Sequence, residues 1–131
     1  LLVLFCGAIG GAWDSLLVAQ GLVSYSSGMI LPQLAPYWIV GMWMLFATTL
    51  NLSMGWLRQR AWLAVLLGAA GGPLAYLTGQ KLGGIVLTEP VLALTALAIG
   101  WGAMMPMLIS LATRFDGVSV DADARRAWML D

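Results

Sequence analysis

Four stretches of this chain are each about as long as a lipid bilayer is thick and almost free of charge, and that property decides what the chain can fold into. A hydrocarbon core of about 30 Å is crossed by roughly 20 residues rising about 1.5 Å each, and a helix is the single-segment form that satisfies its own backbone there. The runs are 1–23, closed by the polar cluster Ser24 to Gly28; 37–57, ending at Arg58-Gln59-Arg60; 61–79, ending at Gln80-Lys81; and 91–113, preceded by Thr88-Glu89-Pro90. With 61% hydrophobic and 9% charged residues, no soluble surface can be built. The sequence therefore predicts an all-α, polytopic transmembrane bundle: residues 1–113 form a four-span domain and 114–131 a cytoplasmic tail.

Lysines and arginines near span ends resist translocation. Arg58, Arg60, Arg114, Arg125 and Arg126 fall on one side and Lys81 alone on the other, which places the 58–60 turn and the C-terminus in the cytoplasm. Tyr37 and Trp38 would sit at the outer headgroup level, Trp56 and Trp62 at the inner one. The short turn at 58–60 predicts that the second and third helices form an antiparallel hairpin. In the tail, Asp121 to Leu130 reads either as a short interfacial helix or as a solvated, frayed terminus. The chain enters a hydrophobic run at Leu1 with no basic leader or cleavage motif, which reads as a start trimmed from something longer.

A formal net charge of zero offers no field for nucleic acid. One cysteine, Cys6, and no histidine exclude an internal disulfide and a Ser-His or Cys-His nucleophile pair, and leave no expected metal or cofactor. Met104, Met105 and Met107 around Pro106 suit soft packing better than a copper site. No enzyme machinery is recognisable.

Helices in lipid meet through small residues. Gly7, Gly10, Asp14, Leu17 and Gly21 repeat at 3-4 spacing on the first helix, and Gly41, Met44, Thr48, Asn51 and Gly55 on the second. The third offers Ala61, Ala64, Gly68, Gly71, Ala75 and Thr78, and the fourth Ala93, Ala96, Gly100, Ala103, Met107 and Ser110. The opposite face of the second, with Trp43, Phe46 and Leu50, is expected to meet lipid.

Asp14 is the sharpest candidate, because a carboxyl inside a span costs about 2.5–3.5 kcal/mol on insertion scales and must be protonated, paired or wet. It serves either as a proton carrier, cation ligand or head-group contact, or as a lock between helices through Asn51, Thr48, Thr49 or Tyr76. Thr48 and Asn51 share a face and suit interhelical hydrogen bonding. Gly72 and Pro73, after Gly71, predict a helix break, since proline removes a backbone donor and frees a carbonyl one turn earlier; it reads either as a plain kink or as a place where freed backbone groups meet a ligand. Tyr76, a turn beyond, either faces the cavity of Asp14 or belongs to an interfacial belt.

Trp13-Asp14-Ser15-Leu16-Leu17, Phe46-Ala47-Thr48-Thr49-Leu50-Asn51 and Gly72-Pro73-Leu74-Ala75-Tyr76, with Gly79 and Leu82-Gly83, resemble the domain of unknown function 2878 family of small bacterial inner-membrane proteins. The resemblance runs to about Gly83 and supplies no activity. It implies a fifth hydrophobic segment upstream of Leu1 and a polar residue such as His where Leu52 stands; the family's genes tend to lie near enzymes that modify membrane fatty acids, which makes such enzymes the expected partners. The leading expectation is a lipid-associated accessory or scaffold subunit with a polar intramembrane pocket; the alternative is a small proton- or solute-coupled transporter using Asp14, expected as a homo-oligomer because four helices leave little room for a pathway.

Overall fold

A computed structural model describes residues 1–52 and 55–115, the side chain of Asn51 excepted. The order is α1 (Leu2–Ala19), β1 (Val23–Tyr25), α2 (Tyr37–Leu52), a 3-10 turn (Gly55–Gln59), α3 (Ala61–Lys81), β2 (Ile85–Leu87) and α4 (Pro90–Arg114). α1, α3 and α4 are long and apolar enough to cross a membrane. α2 is described over 16 residues to Leu52 and residues 55–59 form the 3-10 turn, so the second expected span does not run as an α-helix to residue 57. The expected tail helix over 121–130 lies outside the described residues.

Two features depart from an all-helical hairpin series. First, β1 and β2 pair as an antiparallel ladder, Val23 opposite Leu87, Ser24 opposite Val86 and Tyr25 opposite Ile85. Each strand follows a helix closed in the same way. Gly21 (φ 69°) and Gly83 (φ 80°) take the left-handed conformation that ends α1 and α3. The next amides donate back, Leu22 to Leu17 and Gly84 to Gly79, satisfying helix-end carbonyls and turning the chain into the strand. Second, α2 packs on α1 and α3 on α4, while α2 stands apart from α3. The expected α2/α3 hairpin is thus replaced by α1/α2 and α3/α4 hairpins. The reason is steric: glycines on α1 and α3 admit the large side chains of their partners.

These contacts come in matched pairs. A Cβ on Gly10 would meet the Trp43 ring, and one on Gly72 the Trp101 ring. Gly7 touches Met44, and Ala69 touches Gly102. Adding 62 to an α1 or β1 residue, and 58 to an α2 residue, generates each counterpart. The ladder obeys the same rule, since exchange of the strands maps its register onto itself. The molecule is therefore a tandem of two helix–strand–helix units, related by a pseudo-two-fold axis between the strands and running in the same direction.

On α1 the expected stripe is buried at Gly7, Gly10, Asp14 and Leu17, while Gly21 lies exposed in the turn. On α2 it is wrong by a rotation of the helix: Ile39, Trp43, Ala47 and Leu50 are buried and Thr48 is exposed. α3 keeps Ala64 and Gly68, then buries Gly72 and Tyr76 in place of Gly71, Ala75 and Thr78. α4 keeps Ala93 and Gly100, with Ala103, Met107 and Ser110 exposed. Large residues displace small ones from the interior because facing glycines leave room for rings. α3 also passes unbroken through Gly72 and Pro73, correcting the expected break; one missing donor is insufficient to end a helix anchored on α4 at Gly68 and Gly72.

Candidate functional site

Asp14 is fully buried, and its two oxygens are held from different helices. The Trp43 indole Nε1–H donates to Oδ2 at 2.6 Å, and the Tyr76 hydroxyl donates to Oδ1. The local sequence prepares the first bond. Gly10, one turn before Asp14, leaves α1 bare, so the Trp43 ring lies directly on the helix; a Cβ there would come within 1.9 Å of its Cδ2. In the second unit Gly72 stands one turn before Tyr76 and receives Trp101. Asp14 and Tyr76 are thus counterparts that bond to each other across the pseudo-axis. Beside them Trp43 and Trp101, also counterparts, stack with centroids 4.4 Å apart and planes 14° apart. Phe46 meets both rings edge-on.

Tyr25 completes the cluster from β1. It is 3% exposed, and among the described residues its hydroxyl, which lies close beside Asp14 and Tyr76, makes no hydrogen bond of ordinary geometry. Burial first, and the adjacent Asp14 carboxyl second, push this hydroxyl well above its ordinary range, so it stays a neutral phenol.

A groove of about 350 Å³ opens between α2 and α3, with α4 as its floor. Trp43 and Phe46 line it from α2, Gly71, Ala75 and Tyr76 from α3, and Trp101 from α4. Trp43 Nε1 and the Tyr76 hydroxyl are committed to Asp14, so these two walls present mainly carbon to the groove. Asp14 itself does not line it. The carboxyl acts from behind, tying a wall on α2 to a wall on α3.

Of the expected site residues, Asp14 and Tyr76 are brought into contact. Thr48 is exposed and its Oγ1 donates to the Leu45 carbonyl of its own helix at 2.6 Å. Asn51 lies on the last turn of α2, its side chain outside the described residues. Gly72 and Pro73 lie in continuous helix, Gly72 seating the Trp101 ring. Trp43, Tyr25 and Trp101 were not singled out for the site. Their signal was the pairing of a glycine with a polar residue one turn later, Gly10 with Asp14 and Gly72 with Tyr76, repeated 62 residues apart with a tryptophan in the following helix.

A bundle of long apolar helices, closed around a carboxyl with neutral hydrogen-bond donors, defines a helical protein compatible with insertion in a membrane. Comparison with family models agrees with the motifs: the model described as "Protein of unknown function (DUF2878)" matches residues 1–107. The chain belongs to that family. Comparison with curated proteins and with solved structures finds no match.

Proposed function

We propose that this chain is a multi-pass protein of the bacterial inner membrane, with four spans in this sequence and a cytoplasmic C-terminus, that binds the hydrocarbon part of a membrane lipid as an accessory or scaffold subunit for lipid-modifying enzymes. The observation that carries the reading is the groove between α2 and α3. It is open on the side that would face lipid, where Met42 and Leu67 are exposed, and lined by apolar and aromatic groups. A site of this shape favours apolar ligands through buried area.

The test uses Gly71, which lines the groove and whose added Cβ would meet nothing within 4 Å. Gly71→Leu projects a side chain from this open position toward the groove. Native mass spectrometry of the purified chain should show bound lipid in the parent and its loss in this variant at undiminished thermal stability. Equal lipid retention by both refutes the groove as the binding site.

The rival reading, a transporter coupled to protons or solute through Asp14 and assembled as a homo-oligomer, draws on one observation: the buried carboxyl has neutral hydrogen-bond partners and lies between two parallel repeats, where transporters built from repeats carry their sites. Asp14→Asn separates the two. Reconstituted vesicles that move protons with the parent chain and not with Asp14→Asn would favour transport over lipid binding.

A further inference from the structure

The pseudo-two-fold axis supplies an internal comparison for the groove. Its lining residues Ala75 on α3 and Met42 on α2 have Trp13 on α1 and Gly100 on α4 as counterparts. In that second position small and large are exchanged. The Trp13 ring lies across bare Gly100, so close that a Cβ there would come within 2.1 Å of its Cζ2. The walls around both positions correspond: Trp43 and Trp101 stack between them, Gly10 and Gly72 seat those rings, and Asp14 and Tyr76 close the same end. One position is thus filled by an indole of the protein itself, and its mate, with Ala75 and Met42, is left as the groove.

We propose that the groove receives a planar ring carried by a membrane lipid, in the place that Trp13 takes in the other half of the molecule. This rests on the lipid-binding reading above and narrows its ligand to a hydrocarbon chain bearing a flat ring, as distinct from a straight saturated chain. Three features suit such a group. Trp43, Trp101 and Phe46 present aromatic surface to it, and ring pairs gain attraction beyond area alone. Gly71 and Ala75 leave the α3 side open for a plate-shaped group to enter. Of the polar atoms on the walls, Trp43 Nε1 and the Tyr76 hydroxyl are turned to Asp14, and among the described residues Trp101 Nε1 is buried without a partner, so the groove offers a ring mainly aromatic faces.

The experiment compares two probes on the full chain in detergent micelles, a fatty acid with a phenyl ring in its chain and a straight saturated fatty acid of the same length. The ring-bearing probe should bind about tenfold more tightly. The variant Ala75→Trp, which places in the groove the residue its counterpart holds, should abolish binding of both while keeping the fold; the doubly exchanged Met42→Gly/Ala75→Trp chain should do so with raised thermal stability. Equal affinity for the two probes, with both blocked by Ala75→Trp, leaves the lipid groove standing and overturns the ring. Binding of both undiminished in Ala75→Trp overturns the groove and the ring together, as does failure of both probes to bind the parent, and a ring-bearing probe that fails where the straight chain binds overturns the ring. Should Ala75→Trp not fold, the probe preference of the parent chain decides alone.

Discussion

Gly68 and Gly71 stand three residues apart on α3, and replacing each by alanine isolates what a close helix approach is worth. A Cβ on Gly68 would sit 2.3 Å from the Trp101 carbonyl oxygen and 2.8 Å from its carbonyl carbon, both backbone atoms of α4. To reach ordinary contact, the first distance must open to at least 3.4 Å, which no rotamer change can achieve; α4 itself must move. A Cβ on Gly71 would meet nothing within 4 Å. Both substitutions gain the same helix propensity, about 1 kcal/mol, so the difference between them is the packing term alone. Overpacking of this kind costs about 1–3 kcal/mol. Gly71→Ala should therefore match or exceed the parent, and Gly68→Ala should fall below Gly71→Ala by about 1–3 kcal/mol, a roughly 5- to 150-fold change in the folding equilibrium. Reversible unfolding of the full chain in bicelles measures both, and near-ultraviolet circular dichroism should report a weakened Trp43–Trp101 stack in Gly68→Ala alone. Equal stability of the two variants would refute the contact between α3 and α4 at this point, and with it the geometry of the groove floor.

Further outcomes test the site. Trp43→Phe and Tyr76→Phe each remove one donor from the buried Asp14 carboxyl and should each destabilise by about 1–3 kcal/mol; additive losses in the double variant would show that Asp14 does not couple α2 to α3. Ser15 accepts the Ala35 amide at 2.9 Å and so ties the 26–36 loop to α1, and Ser15→Ala should raise hydrogen exchange at Ala35 with a loss of about 1 kcal/mol. The Tyr25 hydroxyl binds its proton more tightly in the folded chain, so its contribution is whole below the ordinary tyrosine range near pH 10 and is lost as pH rises beyond it. Parent stability should therefore fall above that range more steeply than that of Tyr25→Phe, and identical profiles would overturn the burial of this phenol. A reporter fused after Leu130 should read cytoplasmic, and a periplasmic signal would overturn the orientation drawn from the arginines.

Helices and their limits were legible in the sequence because they depend on local quantities. Apolar runs bounded by Arg60, Lys81 and Pro90 set α3 and α4 to within a few residues, and Gly21 and Gly83 mark turns only glycine enters cheaply. Asp14 was identifiable for the same reason, since a carboxyl in an apolar run is anomalous wherever that helix packs. The two three-residue strands were not visible, because each is too short to show a period and each pairs with a partner 60 to 64 residues away. The interior face of α2 was misassigned for a related reason. Small residues mark an interface when both helices are small there, but Gly10 and Gly72 act as seats for tryptophans on the facing helix, so the large residue is the buried one.

What the sequence alone determined, then, was a series of apolar helices, their ends, and an acid that requires a partner. Which helices pair, which ring reaches that acid and which of two equivalent positions stays open were decided only by the tertiary structure. Those outcomes depend on contacts between side chains on different helices, and a one-dimensional pattern carries the volume of each side chain without the volume it faces. Trp13 and Ala75 illustrate it: each is an apolar residue of a helix, and only the opposing Gly100 and Met42 make the first a filler and the second the wall of a groove.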